Sequence, residues 1–298
     1  MVPPVIWGLA RRVHNHFSAG NRSDDDDKRY FLETRYRKDN EGLSADIMIF
    51  RPGLKLLIHP ESRTAFEYFC YLSPMMVEEM DCFLETTSEK TRLLDIGALH
   101  GIFSLVFAMQ NSRRKALAVD ASPVAFARLL YNIKKNDLTN ITPIECALSD
   151  KAGTLAMHYE WEHAVAAGGD PGGNIIHVPM TTGDELCQRL DFRPDVIKID
   201  VEGHEIKVLK GLSEIIRECS PMIFLEVHPK RIAEEGDSSS FMEHFFDESG
   251  YSAQLVSGPP FPLSSFRDLH CDERLLLRKP AGDAAGSAQQ SGSSEIAT

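Results

Sequence analysis

The chain has 298 residues and a formal net charge of −12 at pH 7, with 43% hydrophobic and 26% charged residues. These values are ordinary for a globular protein with a core of normal size, so no unusual structural class is needed. Because nucleic-acid binding depends on Lys and Arg side chains that contact phosphates, the acidic balance argues against a nucleic-acid partner.

The two ends of the chain differ in composition from its middle. Residues 1–30 contain a polar run with four consecutive aspartates, which predicts a flexible N-terminal arm. Residues 281–298 are rich in Gly, Ser, Ala and Gln, which predicts a disordered tail. Between these ends we predict a cap or substrate-side segment over 31–90, with a helical run AFEYFCYLSPMMVEEMDCFLE, and the main domain over 91–280.

Within the main domain, short apolar runs alternate with amphipathic runs, which predicts βαβ units around a parallel sheet. The predicted core strands are RLLDIG, KALAVD, ITPIECAL, DVIKID and PMIFLEV. The predicted helices are GIFSLVFAMQ, SPVAFARLLYNIKKN, TTGDEL and EIKVLKGLSEIIREC, with Ser122 and Thr182 as N-caps of the second and third. The runs GTLAMHYE and NIIHVPM predict extra strands around the glycine-rich loop AAGGDPGGN.

The cysteines and the apolar runs bear on the location of the protein. The six cysteines include no C-x-x-C pair, which indicates reduced thiols in a cytoplasmic protein. No apolar run reaches the ~20 residues that a membrane span requires, so we expect no stable membrane insertion. The sequence gives no indication of the oligomeric state.

The stretch LLDIGALHG, which begins at Leu93, joins a strand that ends in an acid to a glycine loop. Gly97 permits a sharp turn, and Gly101 begins a helix whose free amides attract negative groups. The dinucleotide fingerprint requires G-x-G-x-x-G, whereas the spacing here is G-x-x-x-G. Asp95 would repel a pyrophosphate and attract an ammonium group, so the loop favours a zwitterionic ligand such as the methionine part of S-adenosylmethionine.

The next two strand ends suit a nucleoside. The second predicted strand ends at Asp120, where a carboxylate can accept two hydrogen bonds from a ribose diol. The third is followed by small and apolar side chains, Ala147 and Leu148, that could contact an adenine ring. A packing role explains those two residues equally well.

The fourth strand end reads KIDVEGHE, in which charged and apolar residues alternate. A central parallel strand is normally apolar on both faces, so Lys198, Asp200 and Glu202 are costly there unless they are paired. We therefore predict a salt-bridged network at the carboxyl end of the sheet, where ligands bind in open α/β folds.

The fifth strand end reads LEVHP, in which Glu226 and His228 share a face by the period of two. His228 is a candidate general base because the pKa of a histidine lies near neutral pH. His100 and His204 are rivals for this role by their positions in the motifs.

The runs DIGALHGIFS, VDASP, NIKKN, ECALSD, DVIKIDVEGHEIKVLKGL and IFLEVHP, over residues 90–255, resemble the FkbM family of S-adenosylmethionine-dependent methyltransferases. The resemblance implies an α/β fold, a Rossmann-like class I methyltransferase sheet that is mostly parallel, with seven strands and helices on both faces. It also implies S-adenosyl-L-methionine as the cofactor and methylation of a hydroxyl on a sugar, glycan or secondary metabolite.

The resemblance assigns the site residue by residue. The predicted cofactor-binding residues are Asp95, Gly97, Ala98, Gly101, Ser104, Asp120, Ala121, Ser122, Ala147 and Leu148. The predicted catalytic residues are Asp200, Glu202 and His228, and no metal ligand is assigned. Three positions depart from the usual family pattern: Leu99 replaces an Asn, Ala121 replaces a Pro, and His204 replaces a small or aromatic residue.

The expected reaction is in-line transfer of a methyl group from the sulfonium to an acceptor oxygen, with the protein aligning the reactants. A base among His228, Asp200 and Glu202 would remove the hydroxyl proton, or a divalent metal held by the same acids would polarise it. The alternative functions are an NAD(P)-dependent oxidoreductase and a non-catalytic S-adenosylmethionine-binding protein. We expect a small-molecule or glycan acceptor to contact residues 45–90 and the insertion EWEHAVAAGGDPGGN.

Overall fold

The computed structural model describes residues 24–160, 163–166 and 175–280. The predicted tail, the first 23 residues of the predicted arm, and Trp161 and Asp170 of the insertion lie outside the described residues. From Asp24 onward the predicted arm overlaps a helix that runs to Asn40. None of the described helices combines the length and the apolar composition needed to cross a bilayer.

The strands are numbered β1 to β14 in chain order. They are β1 (Ile47–Arg51), β2 (Leu54–Leu57), β3 (Arg92–Ile96), β4 (Lys115–Asp120), β5 (Ile141–Glu145), β6 (Ala147–Leu148), β7 (Gly153–Glu160), β8 (His163–Ala166), β9 (Ile175–Thr181), β10 (Val196–Ile199), β11 (Met222–Val227), β12 (Ser252–Leu255), β13 (Pro260–Phe261) and β14 (Glu273–Arg278).

The α-helices are numbered α1 to α10 in the same way. They are α1 (Asp24–Asn40), α2 (Arg63–Glu67), α3 (Pro74–Thr86), α4 (Ile102–Met109), α5 (Pro123–Lys135), α6 (Gly183–Arg189), α7 (Glu205–Lys210), α8 (Ser213–Cys219), α9 (Pro229–Glu234) and α10 (Ser240–Glu248). Ser122 and Thr182 accept the backbone N–H groups of Ala125 and Glu185, which confirms them as N-caps.

The central sheet has eight strands in the order β13-β12-β14-β11-β10-β3-β4-β5. The five strands from β11 to β5 are parallel to their neighbours within that group, whereas β14, β12 and β13 join by antiparallel pairs. The predicted Rossmann-like, mostly parallel sheet with helices on both faces is confirmed, but its strand count is eight rather than seven. The additional strand is β13, a two-residue edge strand that is too short to leave an alternating pattern in the sequence.

Apolar side chains cover both faces of this sheet. On one face, residues such as Ile96, Ile199 and Leu225 pack against helices that follow β9. On the other face, Phe83 of α3 packs against Phe103 of α4 at 5.0 Å and against Phe224 of β11 at 5.3 Å between ring centroids. The segment that precedes the main domain therefore contributes a helix layer to the sheet, and its substrate-side role remains a prediction.

Three predicted elements are divided in the structure. The run ITPIECAL forms β5 in the central sheet and β6 in a second sheet of order β6-β9-β7-β8, because the chain changes sheet at Cys146. The run EIKVLKGLSEIIREC forms α7 and α8. It breaks at Gly211, where a Cβ would lie 2.0 Å from the backbone oxygen of Ser149. The helical run before the main domain is interrupted at Ser73, whose side chain caps α3.

Candidate active site

A cleft opens at the carboxyl ends of the central parallel strands, between the segments that follow β10, β3 and β4. This is the point where the strand order reverses, since the chain runs from β3 outward to β5 and then returns to β10 on the other side of β3. Of the predicted site residues, eight line the cleft: Gly97, Asp120, Ala121, Ser122, Ala147, Leu148, Asp200 and Glu202.

Gly97 brings the glycine loop into direct contact with the acidic turn after β10. Its φ is +77°, and a Cβ at this position would lie 1.7 Å from the backbone oxygen of Asp200. Only glycine can occupy a position with this φ and this close approach. The backbone N–H groups of Gly97 and Ala98 both donate to the carbonyl of Val119, at 3.0 Å each, so the loop is tied to the end of β4.

Asp95 and Ser104 lie behind the loop. The Asp95 carboxylate is 1% exposed and accepts hydrogen bonds from the Ser104 hydroxyl at 2.6 Å and from the Ser104 backbone N–H at 3.2 Å. Burial raises the pKa of Asp95 to about 6, and the two Ser104 bonds oppose that rise. With Gly101 as the N-cap of α4, this pair fixes the loop onto the first turn of the helix.

Asp120 holds the other side of the loop and faces the cleft. One carboxylate oxygen accepts the Leu99 backbone N–H at 2.6 Å, and the other accepts the Ser122 backbone N–H at 2.8 Å. Burial raises the pKa of Asp120 to about 7, against the effect of these two bonds. Each oxygen retains a lone pair, so the oriented carboxylate can accept two hydrogen bonds from a diol.

Leu99 lines the cleft beside Asp120 in a left-handed conformation, with φ of 49°. This conformation costs most L-residues about 1–2 kcal/mol, and Asn tolerates it better because of its short polar side chain. The structure thus explains why Asn suits this position and why Leu99 is strained there.

We expect Leu99→Asn to raise the free energy of unfolding by about 1 kcal/mol, because the strain is relieved. Leu99→Val should lower it, since a β-branched side chain is least tolerated at positive φ. Urea unfolding of the two variants and the unaltered chain measures both effects. An Asn variant that is less stable than the original would contradict the strain argument.

The wall next to Asp120 is largely apolar. It is formed by residues 146–148 and by Leu155 and Met157 of β7, in the second sheet. Ala147 and Met157 also belong to a small buried cluster with residues of β9, so the second sheet supports this wall. A flat aromatic ring can contact such a wall through its faces.

A buried network of charges lies at the end of the cleft opposite the apolar wall, beneath the turn after β10. The Lys198 ammonium is 3.0 Å from Glu79 of α3, 3.6 Å from Asp200 and 3.9 Å from Glu226. Arg274 of β14 pairs with Glu79 at 3.1 Å and also with Glu226. The predicted pairing of Lys198 with carboxylates is confirmed.

Asp200 and Glu226 have opposite pKa shifts within this network. Burial alone would raise the pKa of Asp200, but the charges of Lys198 and His228 outweigh it and lower this pKa to about 2. Burial and the charge of Asp200 raise the pKa of Glu226 well above its usual value. Asp200 therefore carries the negative charge of the pair and presents it to the cleft.

His228 is oriented by a second buried carboxylate. Its Nδ1 lies 2.8 Å from Glu205, which is fully buried and also accepts the Gly203 backbone N–H at 3.0 Å. Its Nε2 points to Glu226 at 3.6 Å, to Glu202 at 3.7 Å and to Asp200 at 4.0 Å. Burial alone would lower the pKa of His228, but the bond to Glu205 and the carboxylate charges raise it to about 9.

Asp200, Glu226 and His228 offer three possible metal-ligand atoms within 4.8 Å of one another. Carboxylate and imidazole ligands of this kind suit a divalent transition metal. Lys198 lies 3.6 Å from Asp200 and Arg274 contacts Glu226, however, so the negative charge that would attract a cation is reduced. The geometry is therefore compatible with both predicted ways of activating a hydroxyl, namely proton removal by a base and polarisation by a bound metal.

The two rival histidines have different surroundings. His204 lines the cleft, and its ring nitrogens lie 2.9 Å from the Ser149 hydroxyl and 2.9 Å from the Glu235 carboxylate. His100 is 1% exposed and lies 3.2 Å from an Arg128 nitrogen. Of the three histidines, His228 is the one whose ring reaches the acids of the turn after β10.

Three residues of this site were missed by the sequence analysis: Glu79, Glu205 and Arg274. Glu205 carried a signal, because it is the last residue of the KIDVEGHE motif at the fourth strand end. Glu79 and Arg274 carried none, since each occurs among other charged residues on an element far away in the sequence.

Comparison with known proteins shows a family match. The model of the methyltransferase FkbM domain matches residues 95–253, just over half of the chain. Methyltransferase sdnD of Sordaria araneosa is 30% identical over 156 residues, which cover 41% of this chain and 60% of that protein. Hexuronic acid methyltransferase AglP of Haloferax volcanii is 27% identical over 150 residues, which cover 49% of this chain and 59% of that protein.

The chain thus spans about three-fifths of the length of these curated relatives. Among solved structures, methyltransferase FkbM from Methylobacillus flagellatus superposes with a TM-score of 0.44 and 15% identity. That superposition covers 73% of this chain and 54% of the other.

Proposed function

The chain belongs to the family of the methyltransferase FkbM domain, and from this premise we propose that it methylates a hydroxyl group with S-adenosyl-L-methionine as the methyl donor. The acceptor class that we propose is a sugar, glycan or secondary metabolite, rather than a nucleic acid. We further propose a cytoplasmic location, because the six cysteines are free thiols.

The observation that carries this proposal is the order of chemical groups along the cleft. The sheet order places the turn with Asp200 next to Gly97, then Asp120, and then the apolar wall at Ala147. S-adenosylmethionine presents cationic groups, a ribose diol and an adenine in the same sequence. The residues therefore fit the cofactor, with a carboxylate for the cationic end, a carboxylate for the diol and an apolar surface for the ring.

The same arrangement disfavours a nicotinamide dinucleotide. The described residues that line the cleft include Asp120, Asp200 and Glu202 but no Lys or Arg. A pyrophosphate in this cleft would face carboxylates rather than the free amides and cations that stabilise it elsewhere.

Bound S-adenosylmethionine supplies a methyl group on a good leaving group, so the protein's tasks are alignment and proton removal. His228 can accept the hydroxyl proton at Nε2, while Glu205 holds the other ring nitrogen and keeps the tautomer fixed. Asp200 and Glu202 flank that nitrogen and can hold the acceptor hydroxyl or stabilise the charged ring. When bound, S-adenosylmethionine would supply the methyl group, and Nε2 of His228 would take the proton that the acceptor oxygen gives up.

The test is incubation of the purified chain with methyl-labelled S-adenosylmethionine and fractions of small molecules and glycans from the source organism. We expect label in a fraction that resists mild base if the bond is an ether, and transfer that continues with EDTA present if His228 alone removes the proton. Loss of all transfer with EDTA, restored by a divalent metal, would assign the activation to a metal. Cofactor binding without transfer to any fraction would favour the non-catalytic alternative.

A further inference from the structure

The buried ammonium of Lys198 lies between an acid that lines the cleft, Asp200, and an acid of helix α3, Glu79. Asp200 faces the cleft at 3.6 Å, whereas Glu79 approaches from α3 on the other side at a shorter distance, 3.0 Å. Glu226 is a third acid beside this ammonium, at 3.9 Å, and the ammonium lies 5.2 Å from the Phe103 ring centroid. Its position is therefore set by the balance of charges around it.

Glu79 is held firmly in this position although it lies outside the family-matched region. Its side chain is 2% exposed, and Arg274, which is also outside that region, contacts it at 3.1 Å. The helix that carries it is anchored by Phe83, which is fully buried between Phe103 and Phe224. Such a fixed, buried acid is not a solvated surface charge.

We propose that Glu79 is a positioning residue for the methyl donor, which draws Lys198 away from Asp200 and so leaves the charge of Asp200 directed at the cationic end of the cofactor. The inference rests on the proposed function, because it takes that end of S-adenosylmethionine to lie near Asp200.

The consequence of losing Glu79 follows from the remaining partners. Lys198 is 2% exposed and cannot move to solvent, and Glu226 is already paired with Arg274. Asp200 is then the acid that Lys198 approaches, and an ion pair in the low dielectric of this site cancels most of the field that each charge exerts on a third group. S-adenosylmethionine has a sulfonium, whereas S-adenosylhomocysteine has a neutral sulfur, so the ratio of their affinities reports the charge that faces the sulfonium.

The experiment is calorimetric titration of Glu79→Gln with both ligands. We expect the Kd of S-adenosylmethionine to rise about 5- to 10-fold and the Kd of S-adenosylhomocysteine to change less than about 2-fold. Asp81→Asn is the matched control, because Asp81 lies on the same helix but pairs with Arg51 near the surface, at 3.2 Å. The control should change neither Kd. Equal weakening of both ligands by Glu79→Gln, or no weakening of either, would overturn the proposal.

A second variant changes the ratio in the same direction by a smaller factor. Glu79→Asp keeps the charge but shortens its reach toward Lys198, which is 3.0 Å away in the original chain, so S-adenosylmethionine should again lose more affinity than S-adenosylhomocysteine. This outcome remains informative if Glu79→Gln fails to fold, and an unchanged ratio in Glu79→Asp would overturn the proposal. Failure of the proposed function has a different signature, since the unaltered chain would then bind neither ligand.

Discussion

Replacement of His228 by Gln is expected to lower the rate of methyl transfer by about 10²- to 10⁴-fold, the usual contribution of a general base. The imidazole is the group whose free nitrogen faces Asp200, Glu202 and Glu226, while Glu205 fixes the opposite nitrogen. Because His228 is not among the residues that line the cofactor cleft, the affinity for S-adenosylhomocysteine should stay within about 3-fold.

The measurement is label transfer from methyl-labelled S-adenosylmethionine to an acceptor fraction that the unaltered chain modifies. His244→Gln is the matched control, because His244 is a surface histidine with a single carboxylate partner, Glu248. A His228→Gln variant that transfers label at the original rate would remove His228 from the mechanism.

The pH dependence of the same reaction follows from the sign of the His228 shift. A base must be neutral to accept a proton, and the pKa of His228 is raised to about 9 in the ligand-free protein. The second-order rate with limiting acceptor should therefore rise about tenfold per pH unit below that value.

The stability that protonated His228 contributes has the opposite trend. It is complete below the unfolded value of about 6.5 and is lost as the pH rises through about 9.

Replacement of Asp120 by Asn is expected to weaken S-adenosylhomocysteine binding by about 100-fold. Two hydrogen bonds from a ribose diol to a carboxylate contribute about 3 kcal/mol together, and an amide can accept at only one of the two positions. The amide also turns a donor toward the backbone N–H of either Leu99 or Ser122, so the orientation of the group is lost.

Asp184→Asn is a close control for this substitution. Asp184 likewise accepts two backbone N–H groups, from Glu214 at 3.1 Å and Ile215 at 2.9 Å, but it lies on α6 away from the cleft. That variant should lose stability and retain ligand affinity. Unchanged affinity in Asp120→Asn would mean that Asp120 does not contact the ribose.

The central strands and the charged turn after β10 could be predicted from the sequence, because both depend on short-range patterns. A buried parallel strand leaves an apolar run, as in KALAVD, which matches β4 (Lys115–Asp120) residue for residue. Lys198 between acids could be predicted to be paired because an isolated charge in a central strand is too costly.

The rest depends on contacts between distant parts of the chain, which no local pattern encodes. The transfer of the chain from the central sheet to the second sheet at Cys146 requires β9 as a partner. Glu79 becomes part of the site only because Phe83 anchors α3 over Phe224. Leu99 was recognised as unusual, but the left-handed conformation that explains the usual Asn is a property of the folded loop.

The central claim is that the cleft binds S-adenosylmethionine. Its most direct test is calorimetric titration of the unaltered chain with S-adenosylhomocysteine and, in parallel, with NADH. The arrangement of Asp200, Asp120 and the apolar wall at Ala147 predicts one S-adenosylhomocysteine per chain and no heat of binding from NADH. Binding of NADH with no binding of S-adenosylhomocysteine would contradict the assignment of this cleft to S-adenosylmethionine.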